Sequence, residues 1–177
     1  MKVTLKPNFG QTSFLYNALR TDKINIYPEF SGTVLESLTK PTAAQKTQVA
    51  AGKNNYPLAQ QLLAKQGLRY LKPMAYNNTY ALVVKASFAK RYQLKTISDL
   101  AKIAPSIRAG FDLEFIDRQD GYKGIKQKYG LQFKVDSMDP SLRYQALDRG
   151  QINLTDGYTT DAQLRQYHLV ALKDDKG

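Results

Sequence analysis

The chain has 177 residues, of which 42% are hydrophobic and 23% charged, and its 26 Lys and Arg outnumber 15 Asp and Glu to give a formal charge of +11. No apolar run approaches the roughly 20 residues that span a bilayer, and the absence of cysteine excludes disulfides and thiolate metal sites. The positive charges are dispersed along the chain, which favours a solvated basic surface over a nucleic-acid interface.

The first part of the chain predicts short elements of alternating type. A helix should begin near Ser31 or Thr33, because Thr33 and Glu36 match the T-x-x-E capping box. The predicted order is strand 2–6, helix 12–21, strand 24–26, the helix near 31 or 33, a loop or weak exposed helix at 40–56, and helix 57–67.

The second part repeats this alternation with clearer signals. Gly130 and Gly150 each follow a helical segment, as expected of C-terminal stops. Strands that alternate with helices predict an α/β fold with parallel-rich sheets. The predicted order is strand 79–85, helix 98–104, strand 107–110, helix 121–129, strand 132–136, helix 141–149, strand 152–156, helix 160–167 and strand 169–172.

Catalytic signals are scarce. A Ser–His–Asp triad would depend on the single histidine, His168, which adjoins an apolar run and is better explained as a packing or surface residue. The carboxylate pairs Asp117/Asp120 and Asp174/Asp175 are typical of loops and caps rather than of metal sites. No phosphate-binding glycine motif occurs in the sequence. We therefore expect neither an enzyme nor a cofactor or metal site.

Four segments, in the same order, resemble the substrate-binding proteins of ABC importers for glycine betaine, choline and carnitine. Together they cover nearly the whole chain. The segments are IYPEFSGTVL (26–35), NNTYAL (77–82), FIDRQDGYKGIKQKYGL (115–131), and MDPSLRYQAL through GYTTDAQL (138–164).

This resemblance implies a type II periplasmic-binding-protein fold, in which the chain crosses twice between two lobes. Residues 1–78 and 158–177 would form the first lobe, and residues 79–157 the second. Relative to the family pattern the chain looks truncated at both ends, so the first lobe is expected to be incomplete and self-association is possible. The full-length parent would be extracytoplasmic and membrane-associated, as a lipoprotein or a permease fusion.

The resemblance also implies the ligand site. A quaternary ammonium ion has no N–H to donate, so aromatic faces must recognise its charge. By position, Phe30, Tyr80 and Tyr158 would form an aromatic box around it, with Phe30 standing where a tyrosine is usual. Arg118 and Thr33 would suit a carboxylate tail, and Asn78 would offer its backbone carbonyl.

Each site residue also has an ordinary structural explanation. Tyr80 could be a core residue, Arg118 could pair with Asp117 or Asp120, and Thr33 could serve as an N-cap. With the resemblance, we expect a binding module that closes over a quaternary ammonium compound and delivers it to an ABC permease. Two alternatives stay open: a basic nucleic-acid-binding domain that uses tyrosines as stacking platforms, and a fragment that has lost ligand binding.

Overall fold

Two compact units make up the chain, Met1–Ala75 and Tyr76–Gly177. The computed structural model describes residues 2–7, 9–50 and 55–177. No helix within these ranges is long and apolar enough to cross a membrane. The division of the chain into lobes 1–78 plus 158–177 and 79–157 stays a prediction.

Helices are the regular secondary structure among the described residues of the first unit. Its buried cluster is formed by apolar side chains of the first and last of these helices and of a π-helical turn: Tyr16, Val34, Leu35, Leu58, Ala59 and Leu63. The helices are α1 (Thr12–Arg20), α2 (Ser31–Thr33) continued by a π-helical turn (Val34–Leu38), α3 (Ala43–Ala50) and α4 (Asn55–Ala64).

The predicted strands at 2–6 and 24–26 are wrong. The described residues of these segments carry no strand assignment. An alternating pattern supplies the side-chain pattern of a strand, but a strand also needs a neighbouring backbone to complete its hydrogen-bond ladder. That partner is not encoded in the local sequence.

The helix predicted near Ser31 or Thr33 begins at Ser31, but the capping box at Thr33 is wrong. Thr33 has helical backbone angles, φ −62° and ψ −41°, and makes no side-chain cap hydrogen bond. Phe30, with extended backbone at φ −98° and ψ 140°, occupies the N-cap position. A capping threonine needs that extended conformation, so the T-x-x-E spacing here lies inside the helix.

The second unit is built on one five-stranded sheet in the order β3-β2-β4-β1-β5. β2 pairs in parallel with β3 and β4, whereas β1 pairs antiparallel with β4 and β5. The sheet is therefore mixed, and the α/β class predicted from the alternation is confirmed. The strands are β1 (Tyr80–Lys85), β2 (Arg108–Phe111), β3 (Lys134–Ser137), β4 (Leu154–Tyr158) and β5 (Leu169–Ala171).

Helices cover both faces of this sheet. Two of them, Ala86–Tyr92 and Leu113–Asp117, were not predicted, and the predicted helix at 98–104 is a 3₁₀ helix. The helices are α5 (Ala86–Tyr92), a 3₁₀ helix (Ser98–Ser106), α6 (Leu113–Asp117), α7 (Tyr122–Tyr129), α8 (Arg143–Asp148) and α9 (Gln163–Gln166).

Two buried clusters hold the helices against the sheet. The larger one includes Leu82, Leu100 and Phe111, and the smaller one includes Val83 and Leu147. Leu82 and Val83 are neighbours on β1 and point to opposite faces, because side chains alternate along a strand. β1 is thus buried on both sides, which fixes the register that positions the residues at its ends.

Candidate functional site

The register of β1 and β4 places two tyrosines directly opposite each other. Tyr80 begins β1, Tyr158 ends β4, and the two are partners in the antiparallel ladder. Their ring centroids are 4.9 Å apart with an interplanar angle of 37°. The Tyr158 hydroxyl donates to the Tyr80 hydroxyl at 3.3 Å. Directly opposed residues share one face of a sheet, so this pair forms a continuous aromatic surface.

Arg118 lies against the Tyr80 side of the pair. It follows α6, is 7% exposed, and its guanidinium carbon lies 5.3 Å from the Tyr80 ring centroid. Its Nε and one terminal nitrogen each donate to an oxygen of Asp120 at 2.7 Å. Asp117 pairs instead with Lys123, at 3.2 Å. The donor fork of the arginine is therefore occupied by the carboxylate of Asp120, and the guanidinium lies in contact with an aromatic face.

A close helix connection fixes the position of Arg118. The backbone after α6 turns back so that Gly121 lies against the Phe115 carbonyl, where a Cβ would overlap it. Phe115 packs its ring on Tyr80, with centroids 5.0 Å apart. The glycine in the D-R-Q-D-G-Y segment is thus required by a close approach, and this approach joins Phe115, Tyr80 and Arg118 in one cluster.

A second arginine, Arg143, supports the Tyr158 side of the pair. Its guanidinium carbon lies 5.1 Å from the ring centroids of both Tyr144 and Tyr158. It forms a buried ion pair with Asp156 at 2.8 Å and a partly buried one with Asp161 at 3.3 Å. Asp161 also accepts the Tyr158 backbone N–H at 3.1 Å and the Tyr144 hydroxyl. The network holds both the backbone and the ring of Tyr158.

Sequence reasoning missed Phe115 and Arg143 as members of this cluster. Both lie inside segments that carry the family resemblance, FIDRQDG and SLRYQAL. A charged side chain on an otherwise apolar helix face could have signalled Arg143, because the apolar residues Tyr144, Ala146 and Leu147 on α8 are buried. Its partners on β4 and beyond are 13 and 18 residues away, so the pairing itself is not readable from the sequence.

Burial sets the charge states in this cluster. Burial, above all, raises the pKa of both Tyr80 and Tyr158, so both phenols stay neutral at physiological pH. Burial also raises the pKa of Asp156 to about 6, although the charge of Arg143 acts in the opposite direction. The Asp112 charge further raises the pKa of both tyrosines. The rings are therefore neutral aromatic faces near an anionic side chain.

Asn78 lies beside the start of β1, in the same region. Its side-chain oxygen accepts from the Thr160 hydroxyl at 2.8 Å, and that hydroxyl also lies 2.9 Å from the Tyr76 hydroxyl. The Thr159 N–H donates to the Thr79 carbonyl at 3.1 Å, which extends the pairing of the two chain segments beyond Tyr80 and Tyr158. The segment that carries Asn78 is thus fixed relative to the ring pair.

Phe30 and Thr33 belong to the first unit. Phe30 is 41% exposed and precedes α2, and Thr33 is half-buried within α2. Near them, the Glu29 side chain accepts the Phe30 N–H at 2.8 Å, and the Glu29 carbonyl accepts the Tyr70 hydroxyl at 3.0 Å. Of the six predicted site residues, the second unit brings Asn78, Tyr80, Arg118 and Tyr158 together, while Phe30 and Thr33 lie near each other on the first.

A cavity of about 350 Å³ adjoins the ring pair within the second unit. Tyr80 and Phe115 line it together with Gln119 and Asp120, whereas Tyr158 and Arg118 do not. The volume falls in the range of small-molecule pockets, about 300–1,000 Å³. Within residues 2–7, 9–50 and 55–177, no group of three or more His, Cys, Asp or Glu could hold a metal ion.

The mixed α/β sheet and its topology are those of type II periplasmic-binding proteins, as the comparisons with known proteins show. A profile described as the substrate-binding domain of an ABC-type glycine betaine transport system matches residues 2–177. The chain belongs to this family, whose members are substrate-binding domains and not enzymes. The expected class of protein and fold are thereby confirmed, and the nucleic-acid alternative is not favoured.

Named relatives agree with this assignment. The chain is 32% identical over 95% of its length to the ergothioneine transport permease/ergothioneine binding protein EgtU of Helicobacter pylori, covering 30% of that protein. It is 30% identical over 99% of its length to the carnitine transport binding protein OpuCC of Listeria monocytogenes, covering 57% of it. A glycine-betaine-binding protein of Pseudomonas aeruginosa is 33% identical over 98% of the chain, which covers 58% of that protein.

Solved structures show the same fold. The crystal structure of a glycine betaine/carnitine/choline ABC transporter matches with a TM-score of 0.63 and 34% identity, over 94% of this chain and 61% of that one. Apo YehZ of Escherichia coli matches with a TM-score of 0.56 and 22% identity, over 93% of this chain and 62% of that one, and supports the fold alone. The chain thus spans less than two thirds of the length of these relatives.

Proposed function

We propose that this chain binds a quaternary ammonium compound of the betaine type in an aromatic cage and that the compound is delivered to an ABC permease outside the cytoplasm. The observation that carries the proposal is the Tyr80–Tyr158 ring pair, with centroids 4.9 Å apart, beside Arg118. A trimethylammonium group needs aromatic faces, and a carboxylate needs a fork of N–H donors. This cluster offers the aromatic faces, and Arg118 offers such a fork when a ligand carboxylate takes the place of Asp120.

An arginine beside the aromatic rings favours a zwitterionic ligand over a simple cation. Arg118 lies 5.3 Å from the Tyr80 ring centroid and donates to Asp120, so a ligand carboxylate would take the place of Asp120. A ligand that carries a carboxylate can place that group toward Arg118 and its ammonium toward the rings. Glycine betaine, carnitine and ergothioneine have this arrangement, and choline does not.

The proposal also concerns which of the betaines bind. Relatives of similar identity are named for ergothioneine, carnitine and glycine betaine. These compounds share the trimethylammonium and carboxylate groups and differ in size. Since the ring pair and Arg118 address only the shared groups, we expect all three to bind and their order to be set by the remainder of the site.

Calorimetric titration with glycine betaine, carnitine, ergothioneine and choline tests the proposal. Tyr80→Ala should weaken every ligand, because one ring contributes roughly 0.5–2 kcal/mol to a bound cation, a factor of about two to thirty in affinity. Tyr92→Ala is the matched control, since Tyr92 ends α5 and its ring contacts that of Phe88, with centroids 4.8 Å apart. Equal losses in both variants, or no binding of any betaine by the wild-type chain, would overturn the proposal.

A further inference from the structure

A second cavity, of about 330 Å³, lies at the end of the sheet away from the ring pair. It is lined by Lys85, the last residue of β1, and by Arg108, the first residue of β2. Tyr80 begins the strand that Lys85 ends, so the two positions are separated by roughly 17 Å of extended backbone. This basic cleft is therefore distinct from the candidate cage.

The cleft is strongly cationic. Lys85, Arg91 and Arg108 line it, and the Lys85 ammonium is paired with Asp148 at 2.9 Å. Three cations against one carboxylate leave an excess of two positive charges. Within the described part of the chain, neither arginine forms an ion pair with a carboxylate. Both arginine side chains are exposed, so their donors can reach a ligand.

The walls of the cleft are fixed, although the arginine tips are exposed. Arg108 donates from its guanidinium to the Gly150 carbonyl at 3.0 Å, and its backbone N–H donates to the Asn153 side chain at 2.8 Å. Asn153 in turn donates to the Ser106 carbonyl at 2.8 Å. The Arg91 guanidinium lies 5.4 Å from the Tyr92 ring centroid. These contacts restrain the arginines and lower the entropy that binding an anion would cost.

We propose that this cleft binds a phosphate group, either free or at the head of an anionic phospholipid. A free or monoester phosphate carries about −1.5 to −2 charges at pH 7, and the diester phosphate of a phospholipid such as phosphatidylglycerol carries a single negative charge. The excess of two positive charges in the cleft attracts either group. Arginine forks bind phosphate oxygens in pairs. The concave shape suits an inserted head group better than the phosphate backbone of a nucleic-acid duplex.

A calorimetric titration with inorganic phosphate gives the first test. Arg91→Gln combined with Arg108→Gln should weaken phosphate binding at least about tenfold, because hydrogen bonds to charged groups are among the strongest that a side chain makes. Arg165→Gln combined with Lys173→Gln removes the same charge from exposed positions that do not line the cleft, and should change affinity by less than about twofold. Arg91→Gln alone serves if the double variant does not fold.

Nanodiscs separate the two sources of phosphate. Discs of phosphatidylethanolamine with and without phosphatidylglycerol are suitable, because phosphatidylcholine would itself offer a quaternary ammonium group to the cage. Binding of phosphatidylglycerol discs that is lost in the arginine double variant assigns the cleft to a lipid head group. Binding of inorganic phosphate, with no binding of the phosphatidylglycerol discs, assigns the cleft to free phosphate. Absence of both, or equal losses in the arginine and control double variants, overturns the proposal.

Discussion

At the scale of single residues, the candidate site depends on a few buried charges that keep two neutral rings in place. Arg118 and Arg143 are 7% and 3% exposed, and each lies near one of the paired tyrosines. Their carboxylate partners differ in position. Asp120 is on the same loop as Arg118, whereas Asp156 and Asp161 lie on and just after β4. The partner of the first arginine thus comes from its own loop, whereas the second arginine is tied to β4 and the segment after it.

Replacing Arg118 should therefore change selectivity. We expect Arg118→Gln to weaken glycine betaine and carnitine by about ten- to a hundredfold, the equivalent of about 1.5–3 kcal/mol for a charged hydrogen bond. Choline, which has no carboxylate to place against Arg118, should lose little affinity. Lys123→Gln is the control, since it removes a charge that pairs with Asp117 nearby. Equal losses for all ligands would assign Arg118 to the fold alone.

Asp156 should make the stability of the chain depend on pH. Its folded pKa of about 6 lies above the ordinary value of 3.8, so the folded state binds its proton more tightly than the unfolded state does. The contribution of this group to stability is then fully present below about pH 4 and is lost as the pH rises through about 6. The difference amounts to about 3 kcal/mol in the free energy of unfolding.

Chemical denaturation of the wild type and of Asp156→Asn across this pH range measures the effect. The wild type should lose stability relative to the variant between about pH 4 and pH 7. Taking the difference between the two proteins removes the contribution of other carboxyls, such as Asp139, whose folded pKa is lowered by its hydrogen bonds to Ser141. If the wild type instead became more stable than the variant as the pH rose, the charge of Arg143 would have a larger effect on the pKa of Asp156 than burial has.

At the scale of elements, the pairing of β1 with β4 creates the aromatic pair. The ladder runs from Val83↔Thr155 to Tyr80↔Tyr158, and its first two pairs, Val83↔Thr155 and Leu82↔Asp156, are buried. A slip of one residue would place one of the two rings on the opposite face. Gly157, the residue before Tyr158, allows the Tyr144 hydroxyl of α8 to approach the strand, where a Cβ would overlap it.

Gly157→Ala should therefore destabilise the second unit by about 1–3 kcal/mol, the usual cost of overpacking. The same substitution in a Tyr144→Phe background should cost less, because the overlapping hydroxyl is gone, although Val83 still lies 3.1 Å from the added carbon. Thermal or urea unfolding of the four proteins gives the coupling energy. Strictly additive costs would show that the strain at Gly157 does not come from Tyr144.

At the scale of the whole molecule, the family resemblance assigns candidate site residues to each unit. Phe30 precedes α2 in the first unit, and the ring pair lies in the second. The assignment of residues 158–177 to the first lobe belongs to the same proposal, whereas within the second unit β5 pairs with β1.

Phe30→Ala should weaken all trimethylammonium ligands by roughly two- to thirtyfold, as the loss of any one ring would. Phe30→Tyr, which retains the ring and adds the hydroxyl expected from the family resemblance, should bind at least as well as the wild type. Calorimetry on both variants decides the matter, with Phe14→Ala as the control because Phe14 is another exposed phenylalanine of the first unit. If Phe30→Ala left ligand affinity unchanged, Phe30 would not be part of the site.

The sequence by itself determined the class of protein and most of the second unit. Apolar periodicity and glycine stops placed β1 to β5 and helices such as α7, whose C-cap Gly130 has φ 66°. These signals are local, because each element is specified by its own side-chain pattern and its own terminators. Four motif segments in order were enough to predict the family and to select Tyr80, Tyr158 and Arg118 as candidates.

Only the tertiary structure decided which of the sequence patterns find partners. Residues 2–6 have the pattern of a strand but no ladder, and the T-x-x-E spacing at Thr33 lies inside a helix. The contact of Arg143 with Tyr158 and its pairing with Asp156 depend on α8 packing against β4. Ladders, buried ion pairs and ring contacts join residues that are distant in the chain, and the free energy that selects them comes from burial, which the folded arrangement determines.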